Sequence, residues 1–176
     1  MRYSSNPQTH AFNTPYQLSI IPPTILAQTA AFGGAPLRDL PKDASVTNHQ
    51  LRHGDVLVFA TDGTWDNLSS KEILKTVSLH MTASKAWEAG KKGMVVGDKL
   101  RALTQQGGIG MQGDNTLQSL LAAAIAAETR TASVNWRRDG PFAKEVQKHY
   151  PEENYHGGKV DDICVLVVIV VDDLGH

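Results

Sequence analysis

The sequence predicts an α+β domain on three observations. Val56-Leu57-Val58-Phe59-Ala60 is a β-rich apolar run of the kind buried on both faces. Residues 163–171, ICVLVVIVV, form a second and longer run near the end of the chain. Between them lie three segments with helical signatures, so strands and helices are mixed within one 176-residue chain.

Taken in order, residues 1–15 are polar, with Pro7 and Pro15 in the stretch. Tyr16 to Ile21 is a short candidate strand closed by Pro22-Pro23. Residues 24–42 carry Gly33-Gly34 and further prolines and read as a connection, and Ala44 to Leu51 reads as an edge strand. His53-Gly54-Asp55 is a turn leading into the apolar run at 56–60. Ser69 with Glu72 three residues later is a capping box, and Ile73, Leu74, Val77 and Met81 continue it at helical spacing. The glycine-rich stretch 90–115 has no periodicity and reads as a mobile loop. Leu117 to Thr131 is alanine-rich and predicts a helix. Pro141 to His149 predicts another, with proline in its first turn.

Composition narrows the function classes. With 41% hydrophobic and 20% charged residues the chain has the make-up of a soluble globular protein. A formal net charge of −1 gives no support to nucleic-acid binding. The longest apolar run is about half of the ~20 residues that a membrane-spanning helix needs, so no membrane span is expected. The single cysteine, Cys164, excludes an internal disulfide and suits a reducing compartment; within the last strand it reads as a buried core thiol. No targeting segment is visible in MRYSSNPQTH.

The chemistry is concentrated in acids at strand ends. Asp62 directly follows the run 56–60, and Asp161-Asp162 directly precede the run 163–171. If these strands are antiparallel neighbours, the end of one meets the start of the other and the carboxylates converge. Such groups cannot share a partly buried site in ionised form without a counter-charge. A divalent cation supplies one, and oxygen-only ligands favour Mg²⁺ or Mn²⁺ over zinc. Gly63, lacking a Cβ, lets the backbone approach closely or take positive φ. Asp-Gly after a strand is also a plain turn signal, so both readings of Asp62 stand at this point.

The segment GDVLVFATDGTWDNLSSKEI resembles a motif of the protein phosphatase 2C family, the metal-dependent serine/threonine phosphatases, and GGKVDDICVLVVIVV resembles that family's closing motif. FNTPYQLS and DGPFAKEV are similar to the fungal and animal branch whose members are often mitochondrial. The matches run in the family's order from about residue 8 to the C-terminus. The resemblance implies an α/β sandwich of two mainly antiparallel sheets flanked by helices, with residues 1–176 as the C-terminal part of a single 2C-type domain, incomplete on its N-terminal side. It implies that Asp62 and Asp161 ligate metal in a binuclear Mg²⁺ or Mn²⁺ centre. Gly63 and Asp162 are weaker site candidates, Asp162 reading first as a turn or capping residue. Trp65, Asp66 and Asn67 match positions that shape the turn and start the next helix.

The implied reaction is hydrolysis of phosphoserine or phosphothreonine on a protein substrate through a metal-bridged water. Catalysis of this kind is mostly positioning and charge neutralisation, so the carboxylates that fix the metals matter more than any nucleophilic side chain, and no catalytic residue besides the metal ligands is identified. The family's N-terminal metal motif, phosphate-binding Arg and general-acid His have no match here. Arg2, His10, Arg38, His49 and His53 fall in segments that match the family's middle region, and His10 and His53 read as loop residues. Asp98 and Asp114 in the glycine-rich stretch read as surface acids. Missing strands would leave unpaired edges and an uncovered apolar face, which implies self-association. A second reading therefore stands beside the enzyme: a non-catalytic fragment or pseudophosphatase that acts as a binding module. Branch resemblance implies a mitochondrial location, and without it a cytoplasmic one.

Overall fold

The computed structural model describes residues 1–34, 38–91, 93–105 and 115–172. The chain divides into two compact units, residues 1–49 and 50–176. In the first unit β1 (Thr9–Ala11) pairs antiparallel with β2 (Thr14–Pro15), and α1 (Pro23–Ala31) follows. The strand expected at Tyr16–Ile21 does not form; Leu18 makes an isolated parallel bridge to Asp39. No strand forms at 44–51 either, and the expected connection at 24–42 contains α1. The reason for the two absent strands is lack of a partner. Leu18, Ile20, Val46 and Leu51 are all exposed, and a strand with no neighbour and no buried face has little to hold it.

The second unit is built on an antiparallel pair, β3 (Val56–Ala60) with β6 (Val165–Ile169), in the register Val56↔Ile169 to Ala60↔Val165. The turn before β3 has the expected form: Gly54 takes φ +83°, and Asp55 N–H donates to the Arg52 carbonyl at 2.9 Å. After β3 come α2 (Asp62–Trp65) and α3 (Ser70–Ala83). The Ser69/Glu72 capping box is present as the sequence indicates: Glu72 N–H donates to Ser69 Oγ at 3.4 Å, and Ser69 N–H donates back to Glu72 Oε2 at 2.8 Å.

Part of the stretch expected to be structureless is ordered. β4 (Trp87–Gly90) and β5 (Gly93–Val96) form an antiparallel hairpin, followed by α4 (Leu100–Thr104). Hairpin pairing and burial of Leu100 and Leu103 replace the periodicity that the short segments lack. The remainder of that stretch, 106–114, lies outside the described residues and takes Asp114 with it. Then come α5 (Leu117–Ser133) and α6 (Pro141–His149), close to their expected limits.

The core forms where helical spacing meets the strand pair. Ile73, Val77 and Met81 on α3, Leu117, Leu121 and Ile125 on α5, and Val167 on β6 are buried in one cluster. Repeats of four residues put each helix's apolar side chains on one face, which packs against its neighbours. The other face of the pair is open, with Phe59, Leu166 and Val168 exposed. Cys164 is exposed too, contrary to the expectation of a core thiol, because it precedes β6 and lies outside the buried stretch of the strand.

Candidate metal centre

The register of β3 against β6 decides where the acids go. Asp62 lies two residues beyond Ala60, and Asp161 lies four residues before its partner Val165, so both sit at the same end of the pair. Thr61 extends the ladder by one step: its N–H donates to the Cys164 carbonyl at 3.1 Å, and Cys164 N–H donates to Thr61 Oγ1 at 3.1 Å. Thr61 Oγ1 also donates to the Asp162 carbonyl at 2.8 Å. The two segments then run so close that a Cβ on Gly63 would lie 2.4 Å from the Asp162 oxygen and 3.2 Å from the Asp161 Cβ. Glycine is required at 63 by this approach of two backbones rather than by positive φ.

Asp62, Asp66 and Asp161 each offer a carboxylate oxygen, and the three oxygens lie within 4.8 Å of one another. Asp66 is the member that sequence reasoning assigned to turn shape alone. Its signal was the spacing: Asp62 and Asp66 are four residues apart, and α2 makes that one helical turn, stacking both carboxylates on one side. Asp162 is exposed and enters through its backbone: its N–H caps Asp161 Oδ1 at 2.8 Å and its carbonyl meets Thr61. His10 and Asp98 belong elsewhere, His10 beside Asp39 and Asp98 beside His53 and Arg101.

Among the described residues, one cation enters the cluster. Lys159 Nζ lies 2.6 Å from Asp66 Oδ2 and 3.1 Å from Asp161 Oδ2, and 4.6 Å from the Phe142 ring centroid. Electrostatics follow from this placement. Burial raises the Asp66 pKa, and the neighbouring charges of Asp62 and Asp161 add to that against the lowering effect of Lys159. Asp161, whose side chain is 34% exposed, is held below the usual carboxylate value by Lys159 and by the Asp162 N–H. Burial opposes the charge on Lys159, but the two acids outweigh it and raise the pKa. One ammonium thus faces three carboxylates. The donor set contains only oxygen and carries excess negative charge, which fits a hard divalent cation better than zinc.

Fold and site together define an α+β domain with an acidic, oxygen-donor centre at the end of an antiparallel strand pair. The chain is 32% identical over 163 residues to protein phosphatase 2C homolog 7, mitochondrial, of Saccharomyces cerevisiae, covering 93% of this chain and 38% of that protein. It is 29% identical over 170 residues to the protein phosphatase PTC7 homologs of Danio rerio and Homo sapiens, covering 97% of this chain and 44% and 43% of theirs. Among solved structures, that of the photosystem II phosphatase PBCP matches with a TM-score of 0.59 at 24% identity, over 96% of this chain and 51% of that one. That likeness speaks for the fold. No protein-family model matches the chain. Over more than nine tenths of its own length the chain is thus similar in sequence to proteins named as 2C-type phosphatases. It spans about two fifths of the length of these curated relatives.

Proposed function

We propose that the chain is the C-terminal part of a 2C-type phosphatase domain that hydrolyses phosphoserine or phosphothreonine on proteins, with Asp62 and Asp161 as metal ligands. The observation that carries this reading is the convergence of Asp62, Asp66 and Asp161, from two segments about a hundred residues apart, on one strand-pair end. The names of the relatives support the reaction class. Asp66 joins the two ligands predicted from sequence; Gly63 makes room for them, and Asp162 caps Asp161 through its N–H. Mg²⁺ or Mn²⁺ in a binuclear centre suits an all-carboxylate donor set. Such ions, when bound, activate water at neutral pH and offset the charge of a transferring phosphoryl group.

The chain's own residues hold three acids close enough to share a cation and keep Lys159 beside them as a permanent positive charge. A phosphoprotein is the substrate, and the mitochondrion, named for the yeast relative, is the proposed location. Among the described residues no helix is long and apolar enough to cross a membrane.

Calorimetric titration with Mn²⁺ tests the ligands. Asp62→Asn and Asp161→Asn should each weaken binding by about tenfold or more, as losses around a metal site do; unchanged affinity in both removes the assignment. Hydrolysis of a chromogenic phosphate ester that needs Mn²⁺ and is abolished in Asp62→Asn makes this chain a working enzyme. A folded sample that binds Mn²⁺ without turnover points to the binding-module reading.

A further inference from the structure

Asn67 was expected to shape a turn, yet its side chain does something else. It is fully buried and joins two segments 92 residues apart. Asn67 Nδ2 donates to the Gly63 carbonyl at 2.8 Å and to the Lys159 carbonyl at 2.7 Å, and Lys159 N–H donates to Asn67 Oδ1 at 2.9 Å. Both amide protons and the amide oxygen are therefore used. One partner belongs to the turn that carries Asp62 and Asp66, the other two to the segment that carries Asp161. The Asn67 main chain is fixed in its turn, since Arg138 Nη1 donates to its carbonyl at 2.8 Å and Arg138 also pairs with Glu72.

We infer that Asn67 is a positioning residue of the acidic centre, setting the distance between the Asp62/Asp66 turn and the Lys159–Asp161 segment. This inference rests on the metal-site reading above for its functional sense and on the Asn67 contacts for its geometry. No other side chain type offers two donors and one acceptor on so short a stem. Asp loses both donors, Ser has one proton to give, and Gln is one methylene too long for a packed site. Backbone groups left unpaired in a buried site carry a full desolvation penalty, so losing the amide loosens both segments at once. The Lys159 ammonium would follow, because its main chain is what Asn67 grips. The acids would then lose both their spacing and their internal cation.

The test uses the full chain with Asn67→Ala and the volume-matched Asn67→Leu, beside Val77→Ala, a core variant in α3 that touches none of the acids. Amide hydrogen exchange in metal-free protein is read at Lys159 and along α5, and Mn²⁺ affinity is read by calorimetry. The expected result is lost protection at Lys159 with α5 still protected, and about tenfold or greater weakening of Mn²⁺ binding. Val77→Ala should show neither effect even though it lowers overall stability. Unchanged protection at Lys159 overturns the inference, as does global unfolding of both Asn67 variants, which marks a merely structural role. Wild-type protein that binds no Mn²⁺ defeats the metal reading instead, and the exchange data still decide whether Asn67 sets the geometry.

Discussion

The two units of the chain are held together by different means. Among the described residues of 50–176 the interior is mostly apolar, with Leu121, Ile125 and Met81 fully buried. Among the described residues of 1–49, the one buried side chain belongs to an acid, Asp39, which accepts from Gln17 N–H at 2.5 Å and lies 3.0 Å from His10 Nε2. The larger apolar side chains there, such as Ile20 and Phe32, face outward. Apolar burial holds a unit through many small contacts at once, whereas residues 1–49 rely on fewer polar links, the β1–β2 pairing, Ser45 N–H to Gln8 Oε1 and the bonds gathered on Asp39 among them. The acidic centre stands on the apolar unit, and its own fixing is polar, through Asn67, Thr61 and Lys159.

The contrast can be broken most forcefully in the core. Ile125→Ala removes a fully buried side chain between α3 and β6 and should cost about 2–5 kcal/mol, read from urea or thermal unfolding. A loss below about 1 kcal/mol would mean that the apolar interior is not what holds this unit.

A smaller effect is expected from Glu72, which links the start of α3 to Arg138 at 2.5 Å. Burial raises its pKa, but hydrogen bonds from Ser69 and Arg138 outweigh this and bring it from 4.5 down to about 2. Its stabilising contribution is complete above pH 4.5 and disappears as the pH falls through about 2. The side chain is 37% exposed, so no more than about 1 kcal/mol is at stake after solvent screening. Glu72→Gln should flatten the acid limb of the stability profile in that window; an identical limb would show that Arg138 and Ser69 contribute nothing through this charge.

The smallest change is expected from Asp39→Asn. It should speed exchange of the Gln17 amide while leaving the unfolding midpoint of residues 50–176 in place. A shift as large as that of Ile125→Ala would contradict the division into a core-held and a polar-linked unit.

How far the sequence spoke differs along the same line. Strands β3 and β6 and helices α3, α5 and α6 were legible because each carries a long apolar pattern, a cap or a proline that matches its burial. The strand expected at Tyr16–Ile21 had the right residue types but no partner, and pairing is not written in local composition. Helix α1 had boundary signals, Pro23 at its start and Gly33 with φ +72° after its end, yet they read equally well as a loop. At the acidic centre, the convergence of Asp62 and Asp161 follows from their place at strand ends, while their reading as ligands rests on the resemblance, since Asp-Gly after a strand reads equally as a turn. Asp66 was missed because only the fourth-residue repeat in α2 brings it round, and Asn67 because its partners lie 92 residues away.

The antiparallel register has a consequence for how such a chain can vary over evolutionary time. Between Ala60 and Asp62, and between Asp161 and Val165, the count of residues is a ruler: one inserted or deleted residue moves a carboxylate by about 3.3 Å and turns it to the opposite face. The 83 to 116 interval touches neither ruler, and neither does the tail after residue 171. Length variation among descendants of this sequence should gather there, and the two short spacers beside the acids should keep their lengths even where their residues change.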